Sequence, residues 1–511
     1  MKGGSWRLVL CLLVAVMLVC GNVVGSAFGS NGGSDGGNSL KGKSNNGLVV
    51  VVPSSIATYK APPDTITVPM VIASEKGKAH IKEIRVLFEG VESKVTPNKD
   101  LEAAGLGLTG LIDVLEDKDR KAQNEVFKKV LYVEAELDVS SLQLKEGTQG
   151  NISISVLGTT DEGSTEATVT ADYQALALPS TPYWYAGDCH VHTSWSDVWF
   201  VPISKRASYA KNNGYKFIVI TDHEDMIDPD WPDYVADCNN NQSSYGLPVM
   251  PGAEIAEIND SGHTLGYRLK ESATSIPHNQ TLSPQSLINA INNHNSPYSY
   301  AVIAHPYNSS HPWPNWSVTG FRAMELLSQE YVASSYTINK WFELLRNGLS
   351  STISTGKFVV GIGSTDCHNL QAPAEKGMSW VYTTSYSSSN RTAIWDAISK
   401  GRVSASGRND FGCFTLNNAQ QGSKISTTAG SSLTFNITQK PVTGRRCASI
   451  TIYDKNKTAI KTFSYPSTTT VSWTTTAPGT DTFYVVKFYF ENTDRTNPGD
   501  VWANPVFVDV Q

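Results

Sequence analysis

Short apolar runs separated by turn residues fill the first third of the chain: LVVVV, TITVPMVIA, EIRVLFEG, VLYVEAELDV, NISISVLG and ATVTADYQALAL. Alternation of apolar and polar positions puts one face of a strand in a core and the other in water. Strands of this length and spacing predict a β-sandwich of about immunoglobulin size. The charged stretch 115–129 (LEDKDRKAQNEVFKK) breaks the pattern and reads as a solvated loop or short helix.

Near Tyr183 the pattern changes to helix followed by strand. VPISKRASYAKNNG has helical spacing, ends at Gly214 and leads into KFIVI. SPQSLINAINNHN is a second helix, with Ser283 as its cap and Pro284 at the first helical position, followed by SYAVIA. TINKWFELLRNG is a third, closed by Gly348 and followed by KFVVGIG. Repeated helix-then-buried-strand order implies a parallel sheet or barrel. Beyond Ser406 the helices stop. SSLTFNIT, SITIYD, TVSWTT, TFYVVKFYFEN and WANPVFVDV predict a second β-sandwich. No internal repeat is found.

The 511 residues exceed one ordinary core. The expected division is a signal peptide at 1–27, a disordered Gly/Ser/Asn linker at 28–47, an N-terminal β-sandwich at 48–180, an α/β domain at 181–406 and a C-terminal β-sandwich at 407–511. Lys2 and Arg7 precede the apolar run 8–24, and Gly25, Ser26 and Ala27 follow it, the layout of a secretory signal. A retained membrane anchor is the alternative. No later segment is long and apolar enough to span a bilayer, so the expected location is secreted or cell-surface, extracellular or periplasmic. Export permits disulfides. Cys413 and Cys447 are the expected pair, and Cys189 and Cys367 read as buried thiols or a second pair. The net charge of −6 carries no basic footprint for nucleic acid.

The chemistry lies in the histidines. Nine of the ten fall between His190 and His368, most of them just after an apolar run. In parallel sheets and barrels, functional residues gather at the carboxyl ends of strands. His223 follows FIVITD, Glu254 follows VMPGA, His305 follows AVIA, and Asp366 and His368 follow FVVGIGST. His190 and His192 are two apart, so on a strand they share a face and can bind one ion; Asp366 and His368 repeat that geometry. Imidazole and carboxylate together suit Zn, Mn or Fe. Asp188 and Asp222 would point away from such a site and serve structure. His278 and His294 read as surface residues, whereas His311 and the aromatic pair Trp313 and Trp316 could border a pocket. Arg206, Arg268, Arg402 and Arg408 are candidate anion clamps, with ordinary surface roles as the alternative.

The succession GDCHVHTSWSD, ITDH, GAE, GH, AHP and TDCH resembles the PHP (polymerase and histidinol phosphatase) domain, and within it the CehA/McbA-type metallohydrolases, over about 183–406. The resemblance implies a distorted seven-stranded α/β barrel wrapped by helices, here set between the two sandwiches, holding two or three divalent metal ions. Carried over by motif, His190, His192, Glu254 and Asp366 would bind one ion. Glu254 would bridge to a second held by His263 and His305, and Asp197, His223 and His368 would hold a third. Within this set Glu254, Asp366 and His263 are assigned the catalytic role.

Close cations that activate water suit phosphate esters best, because their hydrolysis mainly demands positioning and neutralisation of charge. The expected function is therefore a secreted phosphoesterase acting on a small-molecule or polymer-derived mono- or diester. A carboxyl-ester or carbamate hydrolase is the alternative enzyme. A carbohydrate- or surface-binding protein with a structural metal is the alternative of another class, its contacts made through the sandwiches.

Overall fold

The computed structural model describes residues 39–511 except 44–46, 54, 59–62, 75–76, 98, 102–129, 197, 199–200, 257–261, 279–281, 310 and 369–376. The expected signal peptide, most of the expected linker and the charged stretch 115–129 therefore lie outside the described residues. No helix among the described residues is long and apolar enough to cross a membrane.

The chain forms two units, one ending at Ala177 and the other beginning at Leu178. The first unit holds two sheets. In one, Ser39–Lys43, Leu48–Pro53, Thr65–Ser74 and Val130–Asp138 pair antiparallel in that order. In the other, Ser55–Thr58, Gly163–Ala175, Gln149–Thr160, Ala79–Phe88 and Val91–Val95 follow one another, and Lys99–Leu101 also pairs with Ala79–Phe88. Their alternating inward residues, among them Ile66, Val68, Met70, Ile81, Val86, Ile152 and Ile154, form one core. Each such side chain contributes about 1.5–3 kcal/mol on burial. Ser39–Lys43 falls inside the stretch read as linker. Main-chain pairing with Leu48–Pro53 orders it, a mode of bonding to which apolar side chains are not essential.

In the second unit, helix starts follow local chemistry. Ser283 accepts from the Ser286 amide and Pro284 opens the helix Pro284–His294. Ser334 caps Ser335–Asn347, whose Ile338, Trp341, Phe342 and Leu345 form the buried stripe. The helix Trp231–Tyr245 was not anticipated from the sequence. Its buried Trp231, Tyr234, Val235 and Cys238 lie in the first half, and the polar run that follows hides the period.

The expected seven-stranded α/β barrel is not what this unit builds. Strand accounts for 45% of the structure and helix for 19%. The strands sort into open sheets, and no closed ring of strands forms among the described residues. One sheet begins with parallel Val249–Pro251, Phe217–Ile220 and Trp184–Val191. It then turns antiparallel through Met378–Tyr382 and Val403–Ser406 and continues into Gly499–Val510, Thr482–Asn492, Arg445–Tyr453 and Ala459–Ser464. A five-stranded sheet orders Ala253–Ala256, His263–Tyr267, Tyr300–Ile303, Ala323–Ser328 and Val360–Ser364, with only the last two pairings parallel. Helix-then-strand order indicates which element comes next. It does not say which neighbour a strand selects, and antiparallel partners at Ala253–Ala256 and Met378–Tyr382 interrupt the parallel winding. The C-terminal strands share a core of their own, where Phe414, Leu433 and Phe435 meet Ile450, Val486 and Phe488, and two of their longest also extend the sheet that carries His190. A four-stranded sheet, Ala419–Gln420, Phe411–Leu416, Ser432–Lys440 and Thr470–Thr476, completes this part.

No disulfide joins Cys413 and Cys447, expected to pair, or Cys189 and Cys367, read as a second pair. The strands of Cys413 and Cys447 belong to different sheets, and the Cys447 thiol donates instead to the Ser449 carbonyl.

Candidate metal centre

Two isolated bridges join the tips of the sheets: Val191 with Cys367, and His223 with Glu254. They bring the ends of Trp184–Val191, Phe217–Ile220, Ala253–Ala256 and Val360–Ser364 to one place. His190 is the last residue but one of the first strand and His192 follows its end, with both rings on one side and their Nε2 atoms 3.1 Å apart. Glu254 and His263 lie diagonally across an antiparallel pair, so both project from the same face. His305 and Asp366 follow their strands with positive φ of 22° and 46°, conformations that residues other than glycine rarely adopt. Strain of this kind persists where surrounding structure demands a particular side-chain direction.

Three groups of side chains converge there, each with ligand atoms within 4.8 Å of one another: His190, His192, Glu254 and Asp366; Glu254, His263 and His305; and His192, His223 and His368. In the first, Glu254 Oε2 lies 3.4 Å from His190 Nε2 and 3.1 Å from His192 Nε2, while Asp366 Oδ1 lies 3.4 and 3.3 Å from the same atoms. Ligands about 2.0–2.2 Å from one tetrahedral ion stand roughly 3.3–3.6 Å from each other. Glu254 Oε1 faces the second group, 2.7 Å from His263 Nδ1 and 2.9 Å from His305 Nε2. His223 Nδ1 reaches Glu254 Oε2 at 3.6 Å, and His368 Nδ1 reaches Asp366 Oδ1 at 3.4 Å. The first two clusters are buried, the third is open at His223 and His368, and each could hold a metal ion. Asp197 lies outside the described residues.

The donor inventory supports the fit. A carboxylate only accepts, so the 2.9 Å contact to Glu325 Oε1 fixes a proton on His190 Nδ1. Ser196 donates to Asp222 Oδ1, so its oxygen faces His192 Nδ1, 3.4 Å away, as an acceptor. Both Nε2 atoms therefore point at the centre, where each either carries a second proton or offers a lone pair to a cation. Asp366 Oδ1 and His305 Nδ1 are buried with no hydrogen-bond partner among the described residues. The charges match this reading. Burial pulls the His190 imidazole down, but Glu254, Asp366 and Glu325 outweigh it and hold it well above the ordinary histidine value. Burial likewise pushes the Glu254 and Asp366 carboxyls up, and the surrounding imidazoles hold both well below the carboxylate range.

Supporting side chains hold the strand ends in place. Asp188 accepts from the amides of His190 and Thr365 at 3.2 and 3.0 Å and from the Thr365 hydroxyl. Burial raises its carboxyl to about 6. Asp222 accepts from the Thr193 amide and hydroxyl, each at 2.7 Å. Arg206 is buried and donates to the carbonyls of His192 and Cys367 at 2.9 and 3.1 Å, so it ties two ligand-bearing segments together. Arg268 pairs with Asp396, and Arg408 lies over Tyr331. His294 bridges the Lys270 amide and the Ser275 carbonyl, away from the cluster. The His311 ring stacks on His263 at 4.7 Å.

Sequence reasoning missed Glu325. It is fully buried, accepts from the His305 amide at 2.7 Å and from the Ser364 hydroxyl, and meets His190. The available signal was a lone carboxylate inside the apolar strand AMELLS.

No family model and no curated protein matches the chain. Solved structures similar to parts of it include PsfC from Pseudomonas syringae PB-5123, at 15% identity over 40% of this chain and 84% of that one, with a TM-score of 0.29. The fibronectin(III)-like modules of Clostridium thermocellum CbhA share 11% identity over 26% of this chain and 60% of theirs, TM-score 0.15. The Parabacteroides merdae beta-glucuronidase shares 8% over 93% and 64%, TM-score 0.17. Likenesses at these scores carry no argument about fold or function.

Proposed function

We propose that this protein is an exported metal-dependent hydrolase of ester substrates, with phosphate mono- and diesters the best-suited class. The observation that carries the reading is the division of one buried carboxylate, with Glu254 Oε2 turned to His190 and His192 and Oε1 to His263 and His305. A carboxylate so placed can bridge two cations. Because His192 belongs to two of the three groups, a pair of ions bridged by Glu254 is the simplest stoichiometry, and the His and carboxylate donors suit Zn, Mn or Fe. Cations bound there would supply Lewis acidity and bring the pKa of water near neutrality. The protein's own part is to fix directions. Glu325 orients His190, Ser196 orients His192, and burial of the cluster keeps bulk water from competing with a substrate oxygen. The motif order that resembles PHP-type metallohydrolases supports the same chemistry, and that kinship is proposed for the site and not for a barrel.

Elemental analysis of the purified protein, followed by assay on bis-p-nitrophenyl phosphate, p-nitrophenyl phosphate and 1-naphthyl carbamate with added Mn or Zn, tests the reading. Bound metal with phosphate-ester turnover is the expected result. Turnover of the carbamate alone would reassign the substrate class, and bound metal with no turnover would favour a binding protein with a structural ion.

A further inference from the structure

The segment that leaves the metal centre carries an unusual surface. Seven large apolar or aromatic side chains are exposed among the described residues, and three of them, Tyr307, Val332 and Tyr336, lie between His305 and the start of the helix Ser335–Asn347 or within its first turn. Tyr336 is 71% exposed and Tyr307 39%. The rings are arranged in a row. Tyr307 stacks on Trp316 at 5.8 Å and 23°, and Tyr336 follows Tyr307 at 6.1 Å and 35°. Trp316 is the base of the row, half-buried against the core, with the Lys340 ammonium 5.2 Å from its ring and itself held by Glu343. Contiguous exposed apolar surface of this kind marks a binding site more often than chance.

The loop that carries Tyr307 and Trp316 is tied down next to the centre. Tyr307 is two residues from His305, which limits their Cα separation to about 7 Å. The Asn308 amide donates to the His305 carbonyl at 2.8 Å, and the Trp313 amide to that of Pro306 at 2.9 Å. The same loop passes so close to Gly262, the neighbour of His263, that a Cβ there would stand 2.7 Å from Pro314 Cδ. The loop that carries Tyr307 and Trp316 is thus fastened beside the cluster, and Tyr336 joins the row from the start of the helix Ser335–Asn347.

We propose that Tyr307 and Tyr336, seated on Trp316, form a stacking platform for a flat ring face in the substrate's leaving group. The proposal rests on the hydrolase reading for the identity of the reacting ester. Ring faces of two kinds, aryl and glycosyl, share this chemistry. Stacked rings contribute through contact area and quadrupole geometry, and the two exposed tyrosines together would change affinity about tenfold.

The test uses the full-length protein with Mn or Zn and the variants Tyr307→Ala, Tyr336→Ala, the double variant, and Tyr336→Trp. Steady-state constants are measured for p-nitrophenyl phosphate, glucose 1-phosphate and ring-free methyl phosphate. Calorimetric binding of phenylphosphonate and methylphosphonate is measured in parallel. The expected result is a KM raised about tenfold in the double variant for one ring-bearing ester, with kcat retained, methyl phosphate unaffected and Tyr336→Trp close to wild type. Which ring ester responds decides between aryl and glycosyl. Equal changes on ring-bearing and ring-free esters, or none, would overturn the platform while leaving the hydrolase reading intact. If no ester turns over but phenylphosphonate binding still depends on the two tyrosines, the platform stands and the hydrolase reading fails. Absence of both turnover and ring-dependent binding overturns the platform. Tyr336 is mostly in solvent, so Tyr336→Ala alone keeps the test valid if the double variant is unstable.

Discussion

Two buried carboxylates, Asp410 and Glu254, meet opposite surroundings. Asp410 receives donors: the Val442 amide at 3.0 Å and Arg445 Nε at 2.8 Å, on either side of a C-terminal loop. Burial raises its carboxyl to about 6 in spite of the guanidinium. Glu254 receives imidazole nitrogens, and on His190 and His192 the other ring nitrogen is already engaged; its carboxyl is held well below its ordinary value. A structural carboxylate is satisfied by protons that belong permanently to its neighbours. At the centre, acceptors converge on acceptors, and only extra protons or a cation can reconcile them. The difference separates a charge that holds the fold from one that holds a ligand.

The sharpest way to break that contrast is to remove each charge. Glu254→Gln is expected to abolish stoichiometric cation binding and lower any turnover by about a thousandfold, with the circular dichroism spectrum retained. Wild-type metal content in this variant would remove the basis for a bridging role. Asp410→Ala is expected to do the converse: a loss of about 3–5 kcal/mol of stability, from leaving Arg445 buried and unpaired, with cation content unchanged in the protein that remains folded. Stripping the cations with chelator should lower the melting temperature of the wild type, by the equivalent of about 2.7 kcal/mol at a hundredfold excess over the dissociation constant. No such shift should be seen in Glu254→Gln.

Smaller effects sharpen the comparison. Glu325→Gln keeps the shape but weakens the hold on His190, and should cost about 10–100-fold in cation affinity, read by competition with a chelating dye. The pH dependence has a definite sign. His190 in the cation-free protein is raised, so its protonated form contributes stability that is complete below the ordinary histidine value and lost as pH rises through the raised one. A cation needs the unprotonated ring, so its affinity should climb over the same interval by up to about tenfold per pH unit for each proton displaced. Affinity independent of pH there would mean that His190 is not a ligand.

Much of the site was legible because its residues sit where apolar runs end. His190, His192, His223, Glu254, His263, His305, Asp366 and His368 all enter the three clusters, and each was marked by a strand-like run or a short motif. Glu325 was missed because its one local mark, a lone carboxylate in an apolar strand, does not say which group it meets, and His190 is 135 residues away. The cysteines misled for a related reason, since proximity in sequence placed Cys413 and Cys447 together while sheet assignment set them apart.

Element type, then, was set by the sequence alone: the period of burial along Thr65–Ser74, the cap at Ser283, the buried run of Phe217–Ile220 and the clustering of histidines. Such features depend on a few consecutive residues and on steric preferences that act locally. Pairing between strands was decided only by the tertiary structure. It made open sheets where a barrel was expected, extended the His190 sheet into Gly499–Val510, and turned the two oxygens of Glu254 toward different histidines. Those outcomes depend on which distant surfaces bury one another best, a competition among the whole set of strands that no single segment encodes.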